Sequence, residues 1–336
     1  GSFSLSALAG RKGIHSSDDL HAAWEEIFNV ELLNKKFYRE LSNWYFWAMK
    51  NVHFPFDDAQ ADKRDLFSSD EKIREHDAKN LIRLLTRLLF VWFIKEKKLI
   101  PEALFDSDKL SQDLLKHFDP DSRDTRFYKA VLQNLFFATL NQTCGKRQFR
   151  NPGRQHRNIT TLMRYKNYFH DPDAFVNMVE AVVPFMNGGL FDCLDKPDPT
   201  RSGPQGGDII LYEDGFSDRG DNTLRVPDFL FFGKEETIDL SGVYGDKKRK
   251  NEKVRGIIPI LNNYKFTIVE NTPIEQEVAL DPELLGKVFE NLLASYNPET
   301  KTTARKQTGS FYTPRTIVDY MVDESLKAYL NKALCE

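Results

Sequence analysis

The stretch LIRLLTRLLFVWFI, residues 81–94, constrains this chain more than any other. It is the most apolar run in the sequence. It is nevertheless too short to cross a hydrocarbon layer, and Arg83 and Arg87 interrupt it. Such a segment folds as a helix buried within protein, so the rest of the chain must supply the surfaces that cover it. Its flanks agree: Lys95, Lys97 and Lys98 suit a helix C-terminus, and Pro101 closes the element.

The covering surfaces are helical in pattern as well. DDLHAAWEEIF opens on Asp18 or Asp19 as an N-cap and repeats apolar residues at helical spacing. Residues 32–52 carry a dense aromatic face of Phe37, Tyr38, Trp44, Tyr45, Phe46 and Trp47. At this spacing aromatic residues are core far more often than base-stacking platforms. DTRFYKAVLQNLFFATLNQ, 124–142, reads as another long amphipathic helix. The chain of 336 residues can bury a substantial core without disulfides or metals. Its three cysteines, Cys144, Cys193 and Cys335, are far apart and show no C-x-x-C spacing, which fits a reducing cytoplasm. No secretory signal is expected from the first residues, which lack a basic start followed by an apolar run.

The formal net charge is −3, so attraction to nucleic acid must come from local charge. Residues 144–166, CGKRQFRNPGRQHRNITTLMRYK, hold seven Lys or Arg, His156 and no acidic residue. Two readings stay open: a solvated loop, or an arm whose cations neutralise phosphates and release counterions. From 171 the character changes. DPDAFVNMVEAVVPFMNGGLFD is a helix ending before an Asn187-Gly188-Gly189 turn, and a Gly-, Pro- and Asp-rich stretch with short apolar pieces such as DIILY follows. VPDFLFF (226–232) and YKFTIVE (264–270) read as short strands, and GDKKRKNEKVRG (245–256) between them as charged and exposed. The last segment is helical again. Asp281 and Pro282 open one helix with an apolar stripe from Leu284 to Tyr296. Thr313 and Pro314 open another, with Ile317, Val318, Met321, Val322, Leu326 and Leu330 on its inner face.

Between those helices lies TGSFYTP. Gly309 permits close backbone approach, Thr313 offers a hydroxyl at a helix N-terminus suited to a carboxylate, and Phe311 or Tyr312 can cover an apolar surface. The residues alone fit a capped loop between two helices slightly better.

GSFYTPRTIVDYMV resembles the motif that opens the catalytic domain of N6-adenine DNA methyltransferases. LLTRLLFVWFIKEKKLIP, FYKAVLQNLFFATLN, PFMNGGLFD and ALDPELLGKVFENLLASYNPETKTTARKQTGSFYTP are similar, in the same order, to the region before the methyltransferase in type IIG restriction–modification enzymes. The resemblance implies a mainly α fold. A helical connector domain over 1–170 would be followed by a small mixed α/β segment with loops over 171–280. Residues 281–336 would be the first helices of a Rossmann-like methyltransferase domain, truncated in this chain. It also implies S-adenosylmethionine as cofactor, with Thr313 meeting its amino-acid end, Phe311, Tyr312 and Pro314 shaping the pocket, and Gly309 allowing the turn. Double-stranded DNA is the implied partner, through Lys146, Arg147, Arg150, Arg154 and Arg157, with Arg305 and Lys306 near the cofactor or the DNA backbone. The methyltransferase core and target-recognition domain of the same parent chain are further implied partners, and no membrane is. Mg²⁺ is expected only if the parent carries a nuclease.

The family's D-P-A-C-G-S-G loop and its N-P-P-Y tetrapeptide, which holds a flipped base, do not occur. Asn151-Pro152-Gly153 and Asn297-Pro298-Glu299 lack the second proline and the aromatic. No catalytic residue is therefore assigned, and the chain alone is expected to be inactive. A P-D…(D/E)-x-K nuclease site finds chance matches only, at Asp58 with Asp77-Ala78-Lys79 and at Glu96-Lys97-Lys98, both in helical context. The rival readings are a phage-defence methyltransferase without nuclease and a helical protein-interaction scaffold.

Overall fold

The computed structural model describes residues 35–56, 69–151, 158–186, 189–197, 210–264 and 315–335. These residues are mostly helical, as the sequence pattern implies. Helix α1 (residues 35–49) turns Phe37, Leu41, Trp44, Tyr45, Trp47 and Ala48 into the core, so the aromatic stripe is packing surface. Helix α2 (Ser69–Glu96) contains the apolar run and buries Leu81, Leu84, Leu85, Leu88, Val91 and Trp92.

Helix α3 (residues 126–140) departs from its expected amphipathic character. From Phe127 to Leu140 only Lys129 escapes full burial. Most of its polar side-chain atoms find partners inside the protein: Gln133 Nε2 donates to the Asp214 carbonyl at 2.8 Å, and the Asn134 amide exchanges hydrogen bonds with the Arg164 backbone at 2.7 and 2.9 Å, while Gln133 Oε1 is buried without a partner among the described residues. These partners from distant parts of the chain let a polar face lie in the core, where unpaired amides would each cost about 1–3 kcal/mol. The N-terminus of α3 is capped from far along the chain. Asp228 accepts the N–H of Phe127 at 2.8 Å and of Arg126 at 3.2 Å, and Ser122 Oγ lies 3.3 Å from the same carboxyl.

Helix α4 (Pro172–Val182) begins as its sequence predicts, with Asp171 accepting from Asp173 and Ala174 N–H and proline in the first turn. Strands β1 (Lys196–Pro197) and β2 (Ile210–Leu211) pair antiparallel. Of the expected strand VPDFLFF, the last four residues are instead helical as α5 (Phe229–Phe232). Four consecutive apolar residues show no period that selects strand over helix. Strands β3 (Glu236–Ile238) and β4 (Glu252–Val254) form a second antiparallel pair, with Ile238 opposite Glu252. Helix α6 (Ser241–Tyr244) lies between them in sequence, and α7 (Ile257–Asn262) follows. Gly256 sits where a Cβ would come within 2.4 Å of the Phe231 carbonyl oxygen, so only glycine lets α7 lie against α5 this closely.

One continuous core runs from Phe37 to Tyr264 and takes residues from both sides of position 170. The Trp44 indole N–H donates to the Leu230 carbonyl at 2.7 Å across that position. Helix α8 (Arg315–Cys335) differs from the others. The stripe expected to face inward, Ile317, Val318, Met321, Val322, Leu326 and Leu330, is exposed by 41–58%. The expected strand beyond Tyr264 and the expected helix from Asp281 lie outside the described residues. Among the described residues no helix is long and apolar enough to cross a membrane.

Candidate nucleic-acid interface

The basic segment 144–166 leaves the C-terminal end of α3 and returns beside it. Its two described ends are tied together: Arg150 N–H donates to the Met163 carbonyl at 2.9 Å, and Met163 N–H to the Gln148 carbonyl at 3.0 Å. Lys146 and Lys166 are exposed. Arg154 and Arg157 lie outside the described residues.

Two of the arginines expected to meet phosphate, Arg147 and Arg150, point inward. Arg147 is buried. Its Nη1 donates to the Val179 and Val183 carbonyls at 3.1 and 2.8 Å, and its Nε to Gln142 at 3.3 Å. These carbonyls lie at the C-terminal ends of α4 and α3, where the helix dipole favours a cation. Glu180 balances the charge at 3.4 Å. Arg150 forms a two-pronged pair with Asp218, at 2.7 and 2.8 Å, and its side chain is only 6% exposed. Arg164 is likewise buried, donating to the Leu162 and Ile159 carbonyls with its guanidinium 5.1 Å from the Phe216 ring centroid. Burial lowers its pKa, against the opposing effect of Asp218.

Sequence reading missed these roles because a run of Lys and Arg does not show which guanidinium finds a carbonyl or carboxylate within the fold. The free helix C-termini were the only available signal. A prediction follows for Arg150. Its replacement by Ser is expected to leave the salt dependence of any duplex binding unchanged, because Asp218 already neutralises it. Titrations at several salt concentrations check this, and a slope reduced by about 0.9 would show that it meets phosphate after all.

Gly309, Phe311, Tyr312, Thr313 and Pro314, assigned to S-adenosylmethionine by resemblance, lie outside the described residues, as do Arg305 and Lys306. A cleft of about 70 Å³ is lined by Pro55, Phe56, His76, Lys196, Tyr212 and Glu213, among others. It has room for a few waters and is far smaller than the several hundred Å³ of a cofactor pocket. Burial lowers the His76 pKa, partly offset by Glu213 and Asp77. Of the chance nuclease matches, Asp77 is buried on α2 and accepts the Phe54 N–H at 2.6 Å, while Lys79 pairs with Glu75 one turn away. Asp58 lies outside the described residues. Among the described residues no three His, Cys, Asp or Glu are grouped to hold a metal ion.

No family model matches the chain, and no solved structure matches it. A Methanocaldococcus jannaschii protein, "Putative type II restriction enzyme and methyltransferase RM.MjaORFECS2P", is 25% identical over 326 residues. The match takes in 90% of this chain and 21% of that protein. The chain thus spans about a fifth of the length of a restriction–modification relative, and is distantly homologous to it along nearly its whole extent.

Proposed function

We propose that this chain is the helical connector of a DNA methyltransferase of the restriction–modification type. In this reading it joins a methyltransferase module, adenine-N6-specific and of the type IIG build, to nuclease or recognition modules. The observation that carries the reading is the match to a restriction–modification relative over 90% of the chain, in a sequence that also holds G-S-F-Y-T-P. The mainly helical core supports a connecting rather than a catalytic role.

S-adenosylmethionine, when bound, supplies the methyl group. In this reading Thr313 holds its amino-acid end, Phe311, Tyr312 and Pro314 shape the pocket, and Gly309 permits the turn. Lys146, Arg154 and Arg157 contact the DNA backbone, with Arg305 and Lys306 near it. Arg147 and Arg150 hold the segment in place. Residues 1–170, 171–280 and 281–336 remain our division by character, laid over the shared core.

The test is Thr313→Ala in the whole protein that contains this chain. We expect S-adenosylmethionine affinity to fall by about 1.5–3 kcal/mol, one hydrogen bond to a charged group. Calorimetry on a folded variant measures it, and unchanged affinity removes Thr313 from the pocket. Transfer of labelled methyl groups to DNA, followed by nucleoside analysis, decides the target base. Label on cytosine would reject the adenine assignment.

A further inference from the structure

A second concentration of positive charge lies far from residues 144–166 in sequence, and there the lysines face outward. Residues 245–256, which run from the end of α6 to just past β4, hold six basic and two acidic residues. Lys247–Arg249 form a short 3₁₀ turn, and Lys250 follows it. Lys247, Lys248 and Lys250 are exposed; the ion pairs of this stretch are made by Arg249 and Lys253, and Lys250 interacts electrostatically with Asp239.

The turn is braced from beneath. Asp246 accepts the Lys248 N–H at 2.9 Å, Leu240 N–H donates to the Arg249 carbonyl at 2.9 Å, and Gly245 adopts φ +63°. Arg249 points inward, donating to Glu252 at 3.0 Å and lying 4.9 Å from the Tyr244 ring centroid. Tyr244 in turn donates its hydroxyl to Asn43 on α1 at 2.9 Å. Glu252, only 4% exposed, also accepts from Arg39 at 2.9 Å and Asn43 at 2.7 Å. One buried carboxylate thus gathers two arginines and ties the β3–β4 pair to α1. Lys50, at the end of α1, reaches the Asp239 carbonyl at 3.2 Å. The division of labour is clear: the arginines and Glu252 build the platform, and the three ammonium groups stand on it facing solvent.

We propose that the Lys247–Lys250 turn is a docking surface for the phosphate backbone of duplex DNA. The inference rests on the reading of this chain as part of a DNA-modifying enzyme and adds a surface that reading did not contain. Three cations within four residues suit the close charge spacing of a duplex. A turn already fixed by its own hydrogen bonds loses little conformational freedom when a ligand arrives. A bilayer is a poorer fit, since Val243 is the exposed large apolar residue of this loop and a surface helix needs a wider apolar face.

The test compares the chain, a variant with Lys247, Lys248 and Lys250 changed to Gln, and a charge-matched control with Lys97, Lys109 and Lys116 changed to Gln. Fluorescence titrations with a labelled duplex are run from about 50 to 200 mM salt, with urea unfolding to establish that each variant is folded. The expected result is a slope of log K against log salt reduced by about 2.7 in the first variant, alike on every duplex sequence, and little changed in the control. Equal slopes in chain and variant, or an equal loss in the control, overturn the surface. So does a variant that loses binding to anionic vesicles while keeping its DNA affinity. If the chain binds no duplex at the lowest salt, the surface also fails. The proposed function is judged separately, by cofactor affinity at Thr313.

Discussion

Replacing Arg87 with Ala is expected to lower the unfolding free energy by about 4 kcal/mol, as for removing one partner of a buried ion pair. Arg87 lies in the apolar run of α2 and is 1% exposed. Its Nη1 donates to Asp214 at 2.8 Å, its Nε to the Leu190 carbonyl and its Nη2 to the Asp192 carbonyl, each at 2.8 Å. Truncation strands a buried carboxylate and two carbonyls together. Asp214 is itself locked in place, because its Oδ2 accepts the Leu194 N–H and its own N–H donates to Asp195. Asp195 gathers four backbone N–H groups, from Glu213, Asp214, Gly215 and Phe216, at 2.6–3.1 Å. Gly215 is required there, with φ +66° and a Cβ position 2.8 Å from the Pro55 ring. Urea unfolding near neutral pH measures the loss. Pairing Arg87→Met with Asp214→Asn is expected to cost less than Arg87→Ala alone, since neither buried charge is then orphaned. A loss under about 1 kcal/mol for the single variant would mean that water reaches the pair.

How much of this was legible in the sequence depends on where each partner lies. Arg87 was visible as a charge in an apolar run, enough to exclude a membrane span, but its partner is 127 positions away. The Asp171-Pro172 start of α4 was legible because cap and helix are adjacent in the chain. The helical core of α1 and α2 was legible because periodicity is local. The α5 turn was not, since its form depends on Asp228 being held at the end of α3. In the basic segment, the sequence showed the charges and not their directions, so Arg147 and Arg150 could not be told from Lys146.

Asp228→Ala carries the second large effect, an expected loss of about 3 kcal/mol from an uncapped central helix and two buried N–H groups without acceptors. At about pH 4, where the buried carboxyl is neutral, Asp228→Asn is expected to cost about 1 kcal/mol, because its amide oxygen can still accept from Phe127 and its NH₂ can donate to Ser122. The two variants also differ from the native protein in their response to pH. Burial raises the Asp228 pKa to about 8, more than the N–H donors of Phe127 and Arg126 lower it. Burial, reinforced by Asp214, raises Asp195 to about 6. In the unfolded chain such groups titrate near about 4. Between about pH 4 and these raised values the folded protein binds more protons than the unfolded one, so stability falls as pH rises. The expected native profile declines from about pH 4 to about pH 8, and Asp228→Asn should flatten its upper part, from about 6 to 8. Urea midpoints at several pH values measure this, and parallel profiles for the native protein and Asp228→Asn would exclude Asp228 as the source.

The cap on α3 has a consequence for how the protein is made. Phe127 and the carboxyl that receives its N–H are separated by 101 positions. At typical translation speeds the ribosome adds about 5–20 residues each second, so Phe127 leaves the exit tunnel about 5–20 s before its cap does. Trp44 waits longer still for the Leu230 carbonyl, 186 positions downstream. Until then the apolar face of α2 and the all-round buried surface of α3 have no cover from the α5–α7 region. A nascent chain of this design is expected to need chaperones that hold apolar helices. Slowing synthesis between residues 140 and 228 should therefore lengthen its exposure and lower the soluble yield, whereas the same delay placed after Tyr264 should leave the yield unchanged.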